Sequence, residues 1–296
     1  MDGSLYLIGV FLAILSGSIN NIGLVLQKKV VNQVPPEAKF FRSLVKKPLW
    51  ITGILMELMI GSVFFMIAQI YIGPAIIPGL MAFGLIFLAI GSVKIVGETL
   101  KKVEIIGIIV MILAIFLLGL SELSIDIAGI DILAFDLVLN MTIFTIVLFL
   151  GSFICEILQR KIEKLKGILL AISSGFQFSL TNFWIAPLMA VIAHVFGGNA
   201  TLGELFLFIA CAVILIAASI LGIMKIQQSF QVANASRMIP IQQVPIQITP
   251  VIAYFFVFTL MPSTIFPIIY VIISVFLILL SSFLLAKRQA QLEAIK

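Results

Sequence analysis

Glu57 is the only acidic residue in the apolar run from 49 to 72, and no basic residue lies within a helical turn of it in sequence. A carboxylate at membrane depth is costly and usually functional, because it can bind a cation or carry a proton. Glu57 is therefore a candidate solute contact and the one candidate metal ligand; the alternative is a hydrogen-bonded side chain reaching the inner interface. A second group of polar residues lies in "RMIPIQQVPIQITPVIAYFFVF", from Arg237 to Phe258. Each of Pro240, Pro245 and Pro250 removes an amide proton and crowds the carbonyl four residues back. The carbonyls of Ser236, Ile241 and Ile246 are expected to be freed or weakened there and the helix broken, or in the alternative only kinked, with Pro78 a fourth break. In lipid an unsatisfied carbonyl costs on the order of several kcal/mol, so broken backbone belongs beside water or inside protein. Pro240, Gln243, Gln247 and Pro250 recur at helical spacing on one face, with Gln242 on its margin. That stripe is expected to line a polar cavity. The alternative is that the glutamines bond neighbouring helices, at about 0.6–2 kcal/mol each. Asn20, Asn21, Gln177 and Asn182 complete the candidate substrate-binding set.

These residues must be held by membrane helices. Hydrophobic residues make up 62% of the 296 positions and charged residues 10%, which excludes an ordinary soluble domain. Nine spans are read, at about 4–26, 49–72, 74–97, 103–120, 136–158, 167–190, 203–225, 231–258 and 265–286. The fourth is short and the connection at 72–74 is tight. The first ends in Gln-Lys-Lys and is not expected to be a cleaved leader. With nine spans, all 18 basic residues fall on one side, which predicts an outer N-terminus and a cytoplasmic C-terminus. The opposite loops carry Asp2, Glu122, Asp126, Asp131, Asp136 and Glu204. The net charge of +5 is thus a topology signal lying against anionic lipid and calls for no nucleic-acid partner. Tyr6, Tyr71, Tyr254, Tyr270 and Trp50 are read as interfacial anchors, Lys94 as a snorkelling side chain, and His194 as an interface residue. Glu156 is expected to pair with Arg160 four residues on. Arg237 is read as a phospholipid anchor at the inner entrance to span eight. Cys155 and Cys211 lie within spans, so no structural disulfide is expected.

The expected fold is an all-α integral membrane bundle with no soluble domain appended. The basic segment "PPEAKFFRSLVKKPLW" is expected on the inner membrane surface. Asn199-Ala-Thr201 matches the glycosylation pattern but reads simply as part of a turn. "GVFLAILSG" (Gly9–Gly17) matches "GILLAISSG" (Gly167–Gly175) at six of nine positions, and Ile77-Pro78 is echoed by Ile239-Pro240. This suggests an inverted 4+1+4 repeat, with 1–120 as repeat one, 121–166 carrying the connecting span and 167–296 as repeat two. Inverted repeats permit alternating access.

Three stretches resemble the drug/metabolite transporter superfamily, its EamA-like members and in particular its NIPA-type magnesium transporter branch. They are "NNIGLVLQKK", "GPAIIPGLMAFGLIFLAIGSVKIVGETLKKVEIIG" and "NASRMIPIQQV". The resemblance implies a nine-span transporter, with magnesium as one cargo. The chain departs from the branch near Ser62-Val63, where a Glu is usual, and in "TNFWIAPL", which lacks the usual Lys.

There is no Walker-type phosphate loop, no His-Glu-x-x-His and no Gly-x-Ser-x-Gly, so neither ATP coupling nor an enzyme activity is expected, and no cofactor is called for. The expected function is secondary transport of a small polar or cationic solute across the cell membrane. An exporter of amphipathic organic metabolites is the first alternative, and a non-transporting membrane scaffold the second. The expected partners are the bilayer and the solute; oligomeric state is unread.

Overall fold

In a computed structural model, described for residues 3–35, 40–72, 77–123, 130–262 and 264–293, every regular element is helical. Asp2, Lys39, Asp126, Lys296 and the tight connection after residue 72 lie outside the described residues. The α-helices are α1 (Gly3–Val31), α2 (Phe40–Val45), α3 (Pro48–Leu55), α4 (Gly61–Ile72), α5 (Ile77–Met81), α6 (Gly84–Gly91), α7 (Lys102–Gly119), α8 (Phe135–Lys161), α9 (Lys166–Phe196), α10 (Leu202–Val232), α11 (Ala235–Ile252) and α12 (Phe266–Glu293). A π-wound turn, Met56–Ile60, joins α3 to α4, and others follow α6 at Ser92–Val96 and α11 at Ala253–Val257.

Eight helical stretches among the described residues are long and apolar enough to cross a membrane. They cover eight of the nine expected spans, because a helix that satisfies its own backbone bonds is the form such runs take in lipid. Large aliphatic and aromatic side chains stay exposed along them, as at Ile105, Ile109 and Leu113 on α7, where lipid takes the place of a protein partner. The ninth expected span, 231–258, is helical from Ala235 to Ile252. Its prolines and glutamines leave it outside the eight.

The prolines do not break α11. The helix runs without interruption through Pro240, Pro245 and Pro250. Their spacing of five assigns each missing donor to a different turn, so every turn keeps its other hydrogen bonds. The irregularity comes later, in the π-wound turn at 253–257, where Phe258 N–H donates to the Ala253 carbonyl at 3.0 Å. Asn140 on α8 donates to the Val257 carbonyl at 3.4 Å, so a neighbouring helix takes up an acceptor at the helix end. Pro78 is the second residue of α5, where its absent N–H has no intrahelical partner to lose. The interruption follows it, at Ala82–Phe83.

The chain groups into two compact units: Met1–Leu123 with Gln227–Ile241 and Thr264–Lys296, and Ser124–Ile226 with Gln242–Ser263. Of the four boundaries, those after Ile226 and Ile241 fall inside α10 and α11. Within the first unit, α1 packs on α3, α4, α5 and α6, and α7 packs on α12. Ser281 of α12 donates to the Gly107 carbonyl of α7 at 2.6 Å. Within the second, α8 packs on α9 and on the 253–257 turn. Phe144, Phe183, Trp184 and Phe258 centre its core.

Candidate functional site

The first unit concentrates buried polar groups around the turn between α10 and α11. The last carbonyls of a helix and the first amides of the next have no intrahelical partners. Here charged side chains supply them. Lys28, near the end of α1, donates to the Phe230 and Ala233 carbonyls, the latter at 2.7 Å. Glu98 accepts from the Ala235 amide at 2.7 Å, the Ser236 amide at 3.1 Å and the Ser236 hydroxyl at 2.5 Å. A cation at a helix C-terminus and an anion at an N-terminus each favour the helix dipole they face.

Next to this clamp lies a buried ion pair. Arg237 Nε donates to Glu104 Oε1 at 2.5 Å, and its guanidinium also donates to Gln289 Oε1 at 2.7 Å. Glu104 Oε2 accepts from the Lys101 amide at the start of α7 at 2.5 Å. Arg237 is 3% exposed and Glu104 fully buried, so Arg237 is not a lipid anchor. Its charge is consumed by a carboxylate 133 residues earlier in the chain.

Glu57 sits in the π-wound turn between α3 and α4, half-buried. Gln27 Nε2 donates to Glu57 Oε2 at 2.6 Å, Gln227 Nε2 donates to Gln27 Oε1, and Trp50 Nε1 donates to Gln227 Oε1 at 3.3 Å. Gln27 and Gln227 are fully buried, and Trp50 is buried rather than exposed as an interfacial anchor. Among the described residues no group of three or more His, Cys, Asp or Glu side chains is placed to hold a metal. Asn20 and Asn21 are half-buried on α1. Asn21 donates along its own helix to the Gly17 carbonyl at 2.8 Å, and the side-chain oxygens of both asparagines have no hydrogen-bond partner among the described residues.

The other sequence candidates belong to the second unit. Gln242 is buried, donating to Ser174 Oγ at 2.8 Å, and Ser174 donates to the Gly222 carbonyl at 2.7 Å. Gln177 is buried and donates to Ser152 Oγ at 2.8 Å. These two amides bond neighbouring helices. Gln243 and Gln247 are half-buried and bonded to each other at 3.1 Å, while Asn182 is exposed. The second unit also holds an open cleft of about 510 Å³ whose lining includes Ile132, Leu133 and Met189 together with Asp131, His194 and Glu204. Glu204 Oε1 meets His194 Nδ1 at 2.6 Å, and its Oε2 accepts from the Thr201 amide at 2.7 Å and hydroxyl at 3.0 Å.

Glu156 pairs with Arg160 at 3.2 Å, as its spacing predicts, and also with Lys225. Lys94 is exposed, and Tyr254 is buried against Phe255 rather than placed as an anchor. Sequence reasoning passed over Gln27, Lys28, Glu98, Glu104 and Gln227 as binding or clamping groups. Glu98 carried a usable signal, standing directly after a glycine that adopts φ 82°. Gln27 and Gln227 carried none, since their partners are 30 and 200 residues away.

No family profile, no curated protein and no solved structure matches the chain.

Proposed function

We propose that the chain is a secondary membrane transporter that moves a small polar or cationic solute by alternating access, built from inverted repeats of four spans joined by a fifth. One observation carries this reading, a set of backbone contacts present twice. Ser16 donates to the Gly61 carbonyl at 2.7 Å, and Ser174 donates to the Gly222 carbonyl at 2.7 Å. The next residue in each case is a glycine that leaves no room for a side chain: a methyl group at Gly17 would strike the Met81 carbonyl, and one at Gly175 the Pro245 ring and the Gln242 carbonyl. The π-wound turn at Ser92–Val96 has its counterpart at Ala253–Val257. The offset is 158 residues for the serine and the glycine (16 to 174, 17 to 175). It is 161 for the remaining three (61 to 222, 81 to 242, 92 to 253). A single three-residue insertion accounts for the change.

Five membrane-length helical stretches, beginning with α1 and ending with α8, precede α9. If each crosses the bilayer, α9 runs opposite to α1 and the copies are inverted. Inversion supplies two conformations of equal pedigree, one open to each side. The resemblance of the three quoted stretches to NIPA-type members of the drug/metabolite transporter superfamily supports the same reading, with hydrated Mg2+ as one cargo. The basic loops favour a cell-membrane protein with its C-terminus inside. A second reading, export of amphipathic organic solutes, is favoured by the second unit's cleft, whose mixed aliphatic and polar lining suits such a molecule.

Reconstitution into vesicles tests the proposal. Gradient-driven, saturable uptake is expected for at least one member of a panel of Mg2+, organic cations and neutral polar metabolites. Uptake of Mg2+ alone selects the first cargo, and uptake restricted to amphipathic organics selects the second reading. Absence of flux under every gradient would leave a membrane scaffold and overturn the proposal.

A further inference from the structure

The chain from Trp50 to Glu57 has a direction. An indole N–H can only donate. Trp50 therefore fixes the Gln227 side-chain oxygen as acceptor at 3.3 Å, which aims the Gln227 amide nitrogen at Gln27 Oε1. That in turn aims the Gln27 amide nitrogen at Glu57 Oε2, at 2.6 Å. Neither glutamine can turn over without setting donor against donor. Glu57 Oε2 is thus held as an acceptor, and the carboxyl group can take up a proton only at Oε1. Glu57 lies nine residues past Pro48, about 14 Å along a membrane-length stretch that runs from Pro48 to Gln69.

Among the described residues, the polar partner seen for Glu57 is an amide, and the nearby cations are engaged elsewhere or on other elements. The 56–60 turn packs against α1, α3 and α4. Neither α3 nor α4 contains a charged residue. On α1 the charged residues are Lys28 and Lys29; Lys28 directs its ammonium to the Phe230 and Ala233 carbonyls, and Lys29 is half-buried. On α10, Lys225, two residues before Gln227, pairs with Glu156. The group that meets Glu57 is a neutral amide donor, not a cation.

We propose that Glu57 is a proton-binding site whose state is carried through Gln27 and Gln227 to Trp50. Uptake converts the carboxylate and one proton into the acid, with the proton on Oε1. The bond from Gln27 to Oε2 then changes from charge-assisted to neutral and weakens. Because hydrogen bonds in a chain polarise one another, the weakening passes to the Trp50 end. The site rests on geometry alone; its use as the coupling-proton site rests on the transporter reading.

Trp50 and Trp184 are the only tryptophans, so the chain ends on a fluorophore that one substitution isolates. Trp184 donates to Thr145 Oγ1 in the second unit and takes no part in the relay. In a Trp184→Phe background in vesicles, Trp50 emission is expected to follow a single one-proton curve between about pH 4 and about pH 9, the span that carboxyl groups cover in proteins. Glu57→Gln should abolish the curve. Gln27→Leu should abolish it too, while the infrared carbonyl band of protonated Glu57 still titrates. Infrared difference spectra of the unsubstituted protein give a readout that needs no variant to fold. An emission curve that survives Glu57→Gln, or a carboxyl band that does not titrate, would overturn the proposal. So would a titrating carboxyl band with flat Trp50 emission. Titration as expected in a protein that moves no solute would support the proton site and defeat the transporter reading, so the two failures are distinguishable.

Discussion

Burying a guanidinium beside a carboxylate removes both from water, and at Arg237 and Glu104 the geometry is close enough to hold them there. Removing one partner of such a pair strands the other charge, at a cost of about 3–5 kcal/mol. Arg237→Met and Glu104→Leu are each expected to destabilise the protein by about that much in thermal unfolding in detergent. The double variant should lose far less than the sum, apart from about 1 kcal/mol for the cap that Glu104 gives the Lys101 amide. Strict additivity would contradict the pairing. Part of this residue-scale picture was legible in sequence. Glu57 stood out because one carboxylate in an apolar run is conspicuous wherever the run folds. Its partner did not, since Gln27 sits beside two lysines and reads as the polar end of a span. Arg237 and Trp50 were misread for the same reason: both lie where charged and aromatic residues normally meet lipid headgroups, and only tertiary contacts turn them inward.

The elements were more legible than their irregularities. Hydropathy is a local property, so eight of the nine expected spans coincide with membrane-length helical stretches. Proline was the misleading signal. It marks a missing donor, but whether the helix breaks depends on the turns around it, and α11 stays helical through three prolines. The π-wound turns were invisible, because they are a choice among backbone partners that no residue type specifies. The α10–α11 turn is held by Lys28 on one side and Glu98 on the other. Lys28→Met is expected to raise amide hydrogen exchange over 231–238 at least several-fold, with α8 and α9 unchanged. Loss of a charge-assisted bond, worth about 1.5–3 kcal/mol, would allow a tenfold effect or more. Unchanged exchange across the turn would show that packing, not the charge, holds it.

At the scale of the whole molecule, the proposed internal repeat was faint in sequence and draws its support from contacts. Six matches in nine residues pointed to it, while the serine, glycine and π-turn positions that support the proposal extend over three helical stretches on each side of the comparison. Most of these contacts use a backbone carbonyl as acceptor, which any residue supplies, so sequence identity has little to preserve. The candidate solute contacts are distributed over the two units. Glu57, Asn20 and Asn21 belong to one unit, and Gln177, Asn182, Gln242, Gln243 and Gln247 to the other. The central claim is therefore best tested by motion of solute rather than by any single side chain. In vesicles loaded with unlabelled solute, external labelled solute should accumulate transiently above its equilibrium level before declining. This overshoot is expected of a carrier whose site faces one side at a time. A monotonic approach to equilibrium, or no entry of label, would contradict alternating access.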